Sequence, residues 1–217
     1  MKELDYLIPE TKDVLINLSK LDLITDYTFV SGSALAVLLQ HRLSEDLDFF
    51  TWKADLNPIH IAEALKKSSF TKITPVELSD SQADFIIDDV KVSFFANDWD
   101  ILKSRKRLIN NLHIASLETL VVMKINTLFM RARYRDYYDL YVLHKNVFSL
   151  EKMYELAKSV HLNMNRILFQ KALTFTRDIY DEDISKLKLS EKIDISGIED
   201  HFVNSFKVWN DEISNKE

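Results

Sequence analysis

The stretch that decides the fold is FVSGSALAVLLQHRLSEDLDFFTW, residues 29–52. Its first apolar residues predict a strand, the small residues 31–33 predict a turn, and the apolar run after them predicts a buried helix. A second predicted strand then carries Asp46 and Asp48. Because strand side chains alternate between the two faces of a sheet, this spacing predicts that both carboxylates lie on one face.

This pattern is typical of a site for a nucleoside triphosphate and magnesium. Two carboxylates on one strand are able to bridge two Mg²⁺ ions about 3.5–4 Å apart. We therefore assign Asp46 and Asp48 as metal ligands and catalytic residues. Gly32 and Ser33, at a helix start whose backbone N–H groups favour phosphate, are assigned to nucleotide binding, as is the guanidinium of Arg42. The alternative is that an Asp-x-Asp pair is only a pair of solvated edge carboxylates.

The composition excludes several classes of protein. The 217 residues include no cysteine, which excludes a disulfide framework, thiolate zinc sites and cysteine nucleophiles. The formal net charge of −6 argues against a surface built for bulk nucleic-acid binding, although a local basic groove remains compatible with it. The start of the chain lacks the apolar region of a signal peptide, and no apolar run approaches the roughly 18 residues of a membrane span. We expect a cytoplasmic protein without a membrane partner.

Residue periodicity predicts two lobes. We expect an α/β lobe over residues 1–112 and a helical lobe over residues 113–217, with a ligand site in the cleft between them. The predicted elements are helices at 3–20, 34–40 and 58–67, strands at 27–31, 47–51, 70–79, 82–88 and 90–96, and then a helix from 117 onward and helices at about 135–145, 150–159, 163–179 and 197–210.

Lys124 lies in an otherwise apolar helical segment, VVMKINTLFM. One interpretation is a lysine whose stem lies along a half-buried helix while its ammonium reaches water. The other is a catalytic cation that contacts triphosphate oxygens. The residue alone leaves both interpretations open.

The next segment, RARYRDYYDLY at 131–141, is rich in charge and tyrosine. It is interpreted either as an ion-paired helix start, with Arg135 and Asp139 at i, i+4, or as part of the site. In the second case Asp136 or Asp139 partners Lys124 or Arg42, and the arginines contact phosphate or nucleic acid.

Two further features are weaker. The basic run 103–107, KSRKR, favours a solvated loop over a track for an RNA backbone. His41 is interpreted as a structural residue or as a residue at the rim of the site, and the six histidines show no metal-ligand spacing.

The segments SGSALAVLLQHRLSEDLDFF and KINTLFMRARYRDYYDLYVL resemble the motifs of the AbiEii/AbiGii toxin family of nucleotidyltransferases, related to the MenT toxins, within the polymerase-β-like superfamily. The resemblance covers roughly residues 27–145. It implies an α+β (α/β) fold: a polymerase-β-like lobe with a mixed sheet flanked by helices, followed by a helical lobe. It also implies Mg²⁺, a nucleoside triphosphate substrate and a toxin–antitoxin or phage-defence role with a cognate antitoxin. In some relatives the acceptor is the tRNA 3′ end. The residues that match the family motifs are Gly32, Ser33, Asp46, Asp48, Lys124, Asp136 and Asp139.

Two residues depart from the family pattern. Ser31 replaces the first glycine of the usual turn, which we expect to have a small effect. Ser93 stands where polymerase-β-like enzymes often carry a third carboxylate, and serine is a poor Mg²⁺ ligand. Activation of the acceptor hydroxyl is therefore open, with Asp136, Asp98 or the substrate itself as replacements.

The hypothesis from the sequence is a Mg²⁺-dependent enzyme that moves a nucleoside monophosphate from a nucleoside triphosphate to a hydroxyl, most simply on RNA. One alternative is a weak or inactive module of the same fold that binds nucleotide or a partner. Another is transfer of AMP to a protein.

Overall fold

A computed structural model describes residues 2–96, 104–177, 179 and 184–214. Contacts within the chain divide it into two compact units, Met1–Leu120 and Val121–Glu217. The domain boundary at residue 112 stays a prediction. Two residues that the sequence singled out, Asp98 and Lys103, lie outside the described residues.

The first unit is built on a mixed sheet, which in the described residues has seven strands in the order β3-β4-β5-β2-β1-β7-β6. Strand β2 runs antiparallel to β1 and parallel to β5, while β1 runs parallel to β7. The predicted mixed sheet with flanking helices is therefore confirmed. In chain order the elements are a 3₁₀ turn (Lys2–Tyr6), α1 (Pro9–Leu18), a 3₁₀ turn (Asp22–Asp26), β1 (Thr28–Val30), α2 (Ser31–Leu39), β2 (Leu47–Thr51), α3 (Pro58–Lys66), β3 (Ile73–Leu78), β4 (Gln82–Ile87), β5 (Val90–Ala96), β6 (Arg105–Ile109) and β7 (Leu112–Ala115).

One face of the sheet is aromatic and buried. The rings of Phe49 and Phe94 stack with centroids 5.3 Å apart, and Phe29 and Phe85 pack against this pair. Each such ring removed from water contributes about 1.5–3 kcal/mol. Because strand side chains alternate, residues next to these rings lie on the opposite face, and Asp48 is one of them.

The predicted helix over residues 3–20 is wrong in extent, because Pro9 divides it. The first residues form the 3₁₀ turn Lys2–Tyr6, and α1 starts at Pro9. Proline suits the first turn of a helix, and its ring restricts the preceding residue to extended conformations. Ile8 has φ −63° and ψ 153°, in agreement with that restriction.

The predicted loop at the basic run 103–107 is also wrong where the structure describes it. Arg105–Ile109 is the edge strand β6, which forms a hairpin with β7. Asn110 takes a positive φ of 45° in the turn, as asparagine tolerates. The Asn110-Asn111 pair between two alternating runs was the hairpin signal in the sequence.

The second unit is helical, as predicted. Helix α8 packs against α5, α6 and α7 and buries Ile198, Phe202, Phe206 and Trp209 along one face. Helix α7 begins at Arg166 rather than at residue 163, because the Asn165 side chain accepts from Leu168 N and caps its start, and it ends at Thr174 rather than at residue 179. The helices are α4 (Leu117–Met130), which crosses from the first unit, α5 (Tyr134–Asn146), α6 (Leu150–Val160), α7 (Arg166–Thr174) and α8 (Ile195–Ser214), with a 3₁₀ turn at Ile184–Leu187.

The tyrosines of α5 hold the segment that precedes α8. Tyr134 donates to the carbonyl of Ile193, and Tyr141 donates to Glu191 at 2.9 Å. The hydroxyl of Tyr138 accepts from the backbone N–H of Glu191 at 3.2 Å. The tyrosine-rich pattern of the sequence therefore serves the packing of the helical unit.

Candidate active site

The turn between β1 and α2 is made by a serine in an unusual conformation. Ser31 has φ 67°, in the left-handed region where glycine is favoured, whereas Gly32 has a negative φ and is helical. A side chain at such a position costs roughly 1–2 kcal/mol. The departure from the family's Gly-Gly turn thus falls on the residue whose backbone needs glycine most.

The start of α2 lies beside Asp48. Val30 is the N-cap residue of α2 and supplies no side-chain cap, and it pairs with Asp48 in the β1–β2 register. The first N–H groups of a helix lack intrahelical partners and carry partial positive charge. A helix start that favours anions is therefore one strand away from a carboxylate that favours cations.

Ser33 is already engaged within the fold. It is 3% exposed, its hydroxyl donates to the backbone carbonyl of Asp46, and it lies 2.7 Å from the hydroxyl of Ser44. The same segment is anchored from the other side, where Thr11 Oγ1 donates to the Glu45 carbonyl at 2.6 Å. Ser33 therefore fixes the segment that carries Asp46, while its predicted contact with phosphate stays a prediction.

Asp46 and Asp48 lie away from the buried core. Leu47 and Phe49 are fully buried, whereas both aspartates are half-buried, so burial alternates through this segment. Within the described ranges, no three His, Cys, Asp or Glu side chains group closely enough to hold a metal ion. Mg²⁺ needs no such group, because it is usually bound by one or two carboxylates together with substrate phosphates. The two hard oxygen donors beside a helix start fit that mode.

His41 and Arg42 follow α2 and are both buried. His41 is 2% exposed, which favours its structural interpretation over a place at the rim of a site. Arg42 Nη1 donates to the Leu43 carbonyl at 3.0 Å. A buried guanidinium beside this segment is able to stabilise local negative charge, and its contact with a nucleotide phosphate stays a prediction.

Asp84 is a residue that the sequence analysis missed. The registers place Asp48 opposite Ser93 on β5, and Ser93 opposite Asp84 on β4, so the three share one face of the sheet. Asp84 is 4% exposed. Its Oδ2 accepts from Gln82 Nε2 at 3.1 Å and lies 3.4 Å from Lys91 Nζ. The alternation of polar and apolar residues in QADFII was the signal that placed Asp84 off the core face.

Lys124 lies in a buried ionic cluster with Asp136 and Asp139, in the helical unit. Its Nζ is 2.7 Å from Asp136 Oδ1 and 2.8 Å from Asp139 Oδ2, and all three side chains are at least nine-tenths buried. The interpretation of Lys124 as a lysine that reaches water is therefore wrong. The structure brings together the three residues predicted from the second motif, and their catalytic and nucleotide-binding roles stay predictions.

Two arginines of β6, Arg105 and Arg107, make hydrogen bonds to backbone carbonyls of the first unit. Arg105 donates to the Tyr27 carbonyl at 3.2 Å, and its guanidinium lies 4.5 Å from the ring centroid of Trp52. Arg107 Nε donates to the Asn110 carbonyl at 2.6 Å. Burial lowers the pKa of the Arg105 guanidinium from its ordinary value. These contacts favour a structural role, and contact with RNA along this strand stays a prediction.

Within the described residues, no helix is both long enough and apolar enough to cross a membrane.

Comparison with solved structures supports the fold. A candidate nucleotidyltransferase from Helicobacter pylori superposes with a TM-score of 0.61 and 18% identity, covering 100% of this chain and 98% of its own. MenT4, a nucleotidyltransferase toxin from Mycobacterium tuberculosis H37Rv, superposes with a TM-score of 0.56 and 15% identity, covering 91% and 84% of the two chains. The chain is also similar to the uncharacterized protein aq_aa25 of Aquifex aeolicus, with 26% identity over 178 residues, or 80% of this chain and 84% of that protein.

A family model assigns the chain more narrowly. The model described as nucleotidyl transferase AbiEii toxin, type IV toxin–antitoxin system, matches residues 88–202, more than half of the 217 residues. That match contains Lys124, Asp136 and Asp139 and begins after the strand that carries Asp48. The chain therefore belongs to the AbiEii family of nucleotidyltransferase toxins.

Proposed function

We propose that this nucleotidyltransferase moves a nucleoside monophosphate from a magnesium-bound nucleoside triphosphate to a hydroxyl of RNA, with the tRNA 3′ end as acceptor. The observation that carries the proposal is the register between Val30 and Asp48. This register places the start of α2, which has no side-chain cap, beside the carboxylate of Asp48. A helix start favours phosphate and a carboxylate favours Mg²⁺, so the two groups suit a triphosphate with its cation.

In the proposed reaction, each group has a separate task. The N–H groups at the start of α2 bind phosphate oxygens, and Asp46 and Asp48 hold Mg²⁺. When bound, Mg²⁺ neutralises phosphate charge and stabilises the leaving pyrophosphate. Ser33 holds the backbone of Asp46 in place, since its hydroxyl donates to that carbonyl. Lys124 contacts triphosphate oxygens in this proposal, and Asp136 and Asp139, which lie 2.7 and 2.8 Å from its Nζ, set its orientation.

The biological role follows from the family. AbiEii proteins are toxins of type IV toxin–antitoxin systems, so we propose a growth-arresting toxin with a cognate antitoxin and a phage-defence role. A triphosphate substrate and a tRNA acceptor would place the enzyme in the cytoplasm.

A second candidate function is binding of nucleotide without turnover. Ser93, rather than a carboxylate, pairs with Asp48 in the β2–β5 register. A serine hydroxyl is a weak cation ligand and a weak base, so this position supplies neither function directly.

The test is incubation of the protein with each α-labelled nucleoside triphosphate, Mg²⁺ and total tRNA. We expect one nucleotide to label RNA, and we expect the Asp48→Asn variant to leave RNA unlabelled. Glu77→Gln, the same change of charge on the exposed edge strand β3, serves as the control. Equal labelling by wild type and Asp48→Asn would contradict the proposal. A label that resists ribonuclease but not protease would identify a protein acceptor, and tight binding without any label would identify the second candidate.

A further inference from the structure

A row of polar residues crosses the sheet on the face that carries Asp48. In register, Asp48 on β2 is opposite Ser93 on β5, Ser93 is opposite Asp84 on β4, and Asp84 is opposite Glu77 on β3. Paired residues on neighbouring strands project to the same face. Glu77 is exposed at the edge of the sheet, whereas Ser93 and Asp84 are buried. The buried carboxylate in this row is therefore Asp84.

One oxygen of Asp84 lacks a donor. Among the residues that the structure describes, Oδ1 of Asp84 is buried and has no hydrogen-bond partner. The other oxygen, Oδ2, is held by Gln82 and Lys91. A buried polar atom without a partner costs roughly 1–3 kcal/mol, and more when the group is charged. The packing of the described first unit does not use this oxygen, which leaves it available to a ligand.

The spacing of the row leaves room for a reacting group. Neighbouring strands are about 4.8 Å apart, so two strand spacings separate Asp48 from Asp84 by about 10 Å at Cα. The residue between them, Ser93, has one of the smallest side chains. A cation held at Asp48 and a hydroxyl beside it would extend along the row toward Oδ1 of Asp84.

We propose that Asp84 is the catalytic residue that accepts the proton of the acceptor hydroxyl. This assignment rests on the function proposed above. The acceptor oxygen forms a bond to the α-phosphorus, and the bond from the α-phosphorus to the bridging oxygen of the β-phosphate breaks. Pyrophosphate leaves with that electron pair, and the proton passes from the hydroxyl to Oδ1 of Asp84 and then to solvent.

Other candidates for this task fit less well. Ser93 is adjacent to Asp48, but a serine hydroxyl does not take up a proton near neutral pH. Among the described residues Asp136 also has a buried oxygen without a hydrogen-bond partner, Oδ2, but its Oδ1 lies 2.7 Å from Lys124 Nζ and it belongs to the second unit, whereas Asp84 is on the same sheet as Asp48. Asp84 combines a carboxylate, a free oxygen atom in the described structure, and a place on the face of Asp48.

The test begins with Asp84→Asn, which keeps the shape of the side chain and removes the base. We expect kcat for transfer to RNA to fall by about 10²–10⁴-fold, the usual contribution of a general base. The Kd for the nucleoside triphosphate should stay within about twofold, because the substitution removes the base and leaves the groups proposed to bind the nucleotide in place. Glu77→Gln, in the same row at its exposed edge, should transfer at the wild-type rate. Transfer by Asp84→Asn at the wild-type rate would overturn the assignment.

A second variant separates catalysis from folding. Asp84→Asn/Lys91→Met removes both members of the pair, so neither charge is left unpaired; it should melt near wild type and still lose transfer. Full activity in this variant would also overturn the assignment. Ser93→Asp in the Asp84→Asn background returns a carboxylate to the row, and we expect it to recover part of the rate, which a purely structural role of Asp84 does not predict.

The two proposals fail differently in this experiment. If the wild type binds nucleoside triphosphate but labels no acceptor, the proposed function fails and the assignment of Asp84 fails with it. If the wild type labels RNA and Asp84→Asn does so equally well, only the assignment of Asp84 is wrong.

Discussion

Two groups of charged residues in this molecule are built in opposite ways. In the first unit, Asp46 immediately precedes β2 and Asp48 is its second residue; both are half-buried, and Asp48 pairs with the residue before α2. In the second unit, the buried ammonium of Lys124 lies 2.7 Å from Asp136 Oδ1 and 2.8 Å from Asp139 Oδ2 on the next helix, while Asp136 Oδ2 has no hydrogen-bond partner among the described residues. The first arrangement leaves its two carboxylates half-exposed, whereas the second buries its two carboxylates around one cation.

This difference separates binding from stability. Half-exposed like charges repel modestly and become favourable when a cation arrives. A buried ion cluster has lost its hydration, so each member depends on the others. We therefore expect substitutions in the first group to remove activity with little loss of stability, and substitutions in the second to lower the free energy of unfolding.

The largest expected effect is that of Asp48→Asn on activity. Loss of a metal ligand removes several kcal/mol of transition-state stabilisation, which corresponds to a decrease in transfer of about 10³-fold or more. The melting temperature should stay within a few degrees of wild type, because Asp48 is half-buried and lies off the aromatic core face of the sheet. Transfer rates and thermal melts of the same preparation check both parts. A variant that melts far below wild type would break the comparison.

Next in size is the effect of Lys124→Met on stability. Removal of the lysine leaves two buried carboxylates without their cation, at a cost of about 3–5 kcal/mol. For a chain of this length that lowers the melting temperature by roughly 10 °C. The control is Lys72→Met, which removes an exposed pair with Asp89 and should cost less than about 1 kcal/mol. Equal melting temperatures of the two variants would contradict the account.

Much of the fold was predictable because local pattern and burial agree. Burial alternates along the segment 47–51, residues 90–94 alternate between apolar and polar side chains, and both 47–51 and 90–96 are strands with the predicted bounds. The break at Pro9 and the strand at Arg105–Ile109 were missed, because helical periodicity outweighed one proline and a basic run was treated as a loop. Where the alternation of apolar and polar residues was strong, it predicted the right element, whereas the signals of a single proline and of a basic edge strand were too weak to be recognised.

The site was predictable only in part. The spacing of Asp46 and Asp48 predicted an alternation that burial now shows. Asp84 could not be connected with Asp48 from the sequence, because the pairing of β4 with β5 and of β5 with β2 is a long-range property of the sheet. The sequence left open whether Lys124 pairs with an aspartate of the next helix or reaches water, and only the packing of the helices shows its ion pair with Asp139.

The helical unit should also lose stability in acid. His144 Nδ1 lies 2.7 Å from His201 Nε2, with Tyr141, Lys145 and Glu191 close by. Burial, and then the charge of His201, lower the pKa of His144 to about 4. Because the unfolded chain binds this proton near pH 6.5, stability falls as the pH drops from about 6.5 toward 4 and is unaffected by His144 above that range.

A series of thermal melts between pH 8 and pH 4 measures this loss. His144→Phe should flatten the decline, since it removes the group that must be protonated, while Asp48→Asn should leave the profile of the helical unit unchanged. A decline of equal steepness in His144→Phe would show that another group is responsible.

The smallest expected effect is a gain in stability from Ser31→Gly. Ser31 has φ 67°, where glycine is unstrained, so the substitution should stabilise the fold by about 1 kcal/mol and raise the melting temperature by roughly 2–4 °C. Ser33→Gly is the matched control: its residue is helical, and it loses the hydroxyl that holds Asp46. The two substitutions should therefore shift the melting temperature in opposite directions. Destabilisation by Ser31→Gly would contradict the assigned turn.

The most direct test of the central claim is a crystal structure with Mn²⁺ and a non-hydrolysable nucleoside triphosphate. Anomalous density should lie against the carboxylates of Asp46 and Asp48, with phosphate oxygens on the N–H groups at the start of α2. A nucleotide bound elsewhere, or a Mn²⁺ ion that contacts neither aspartate, would contradict the account.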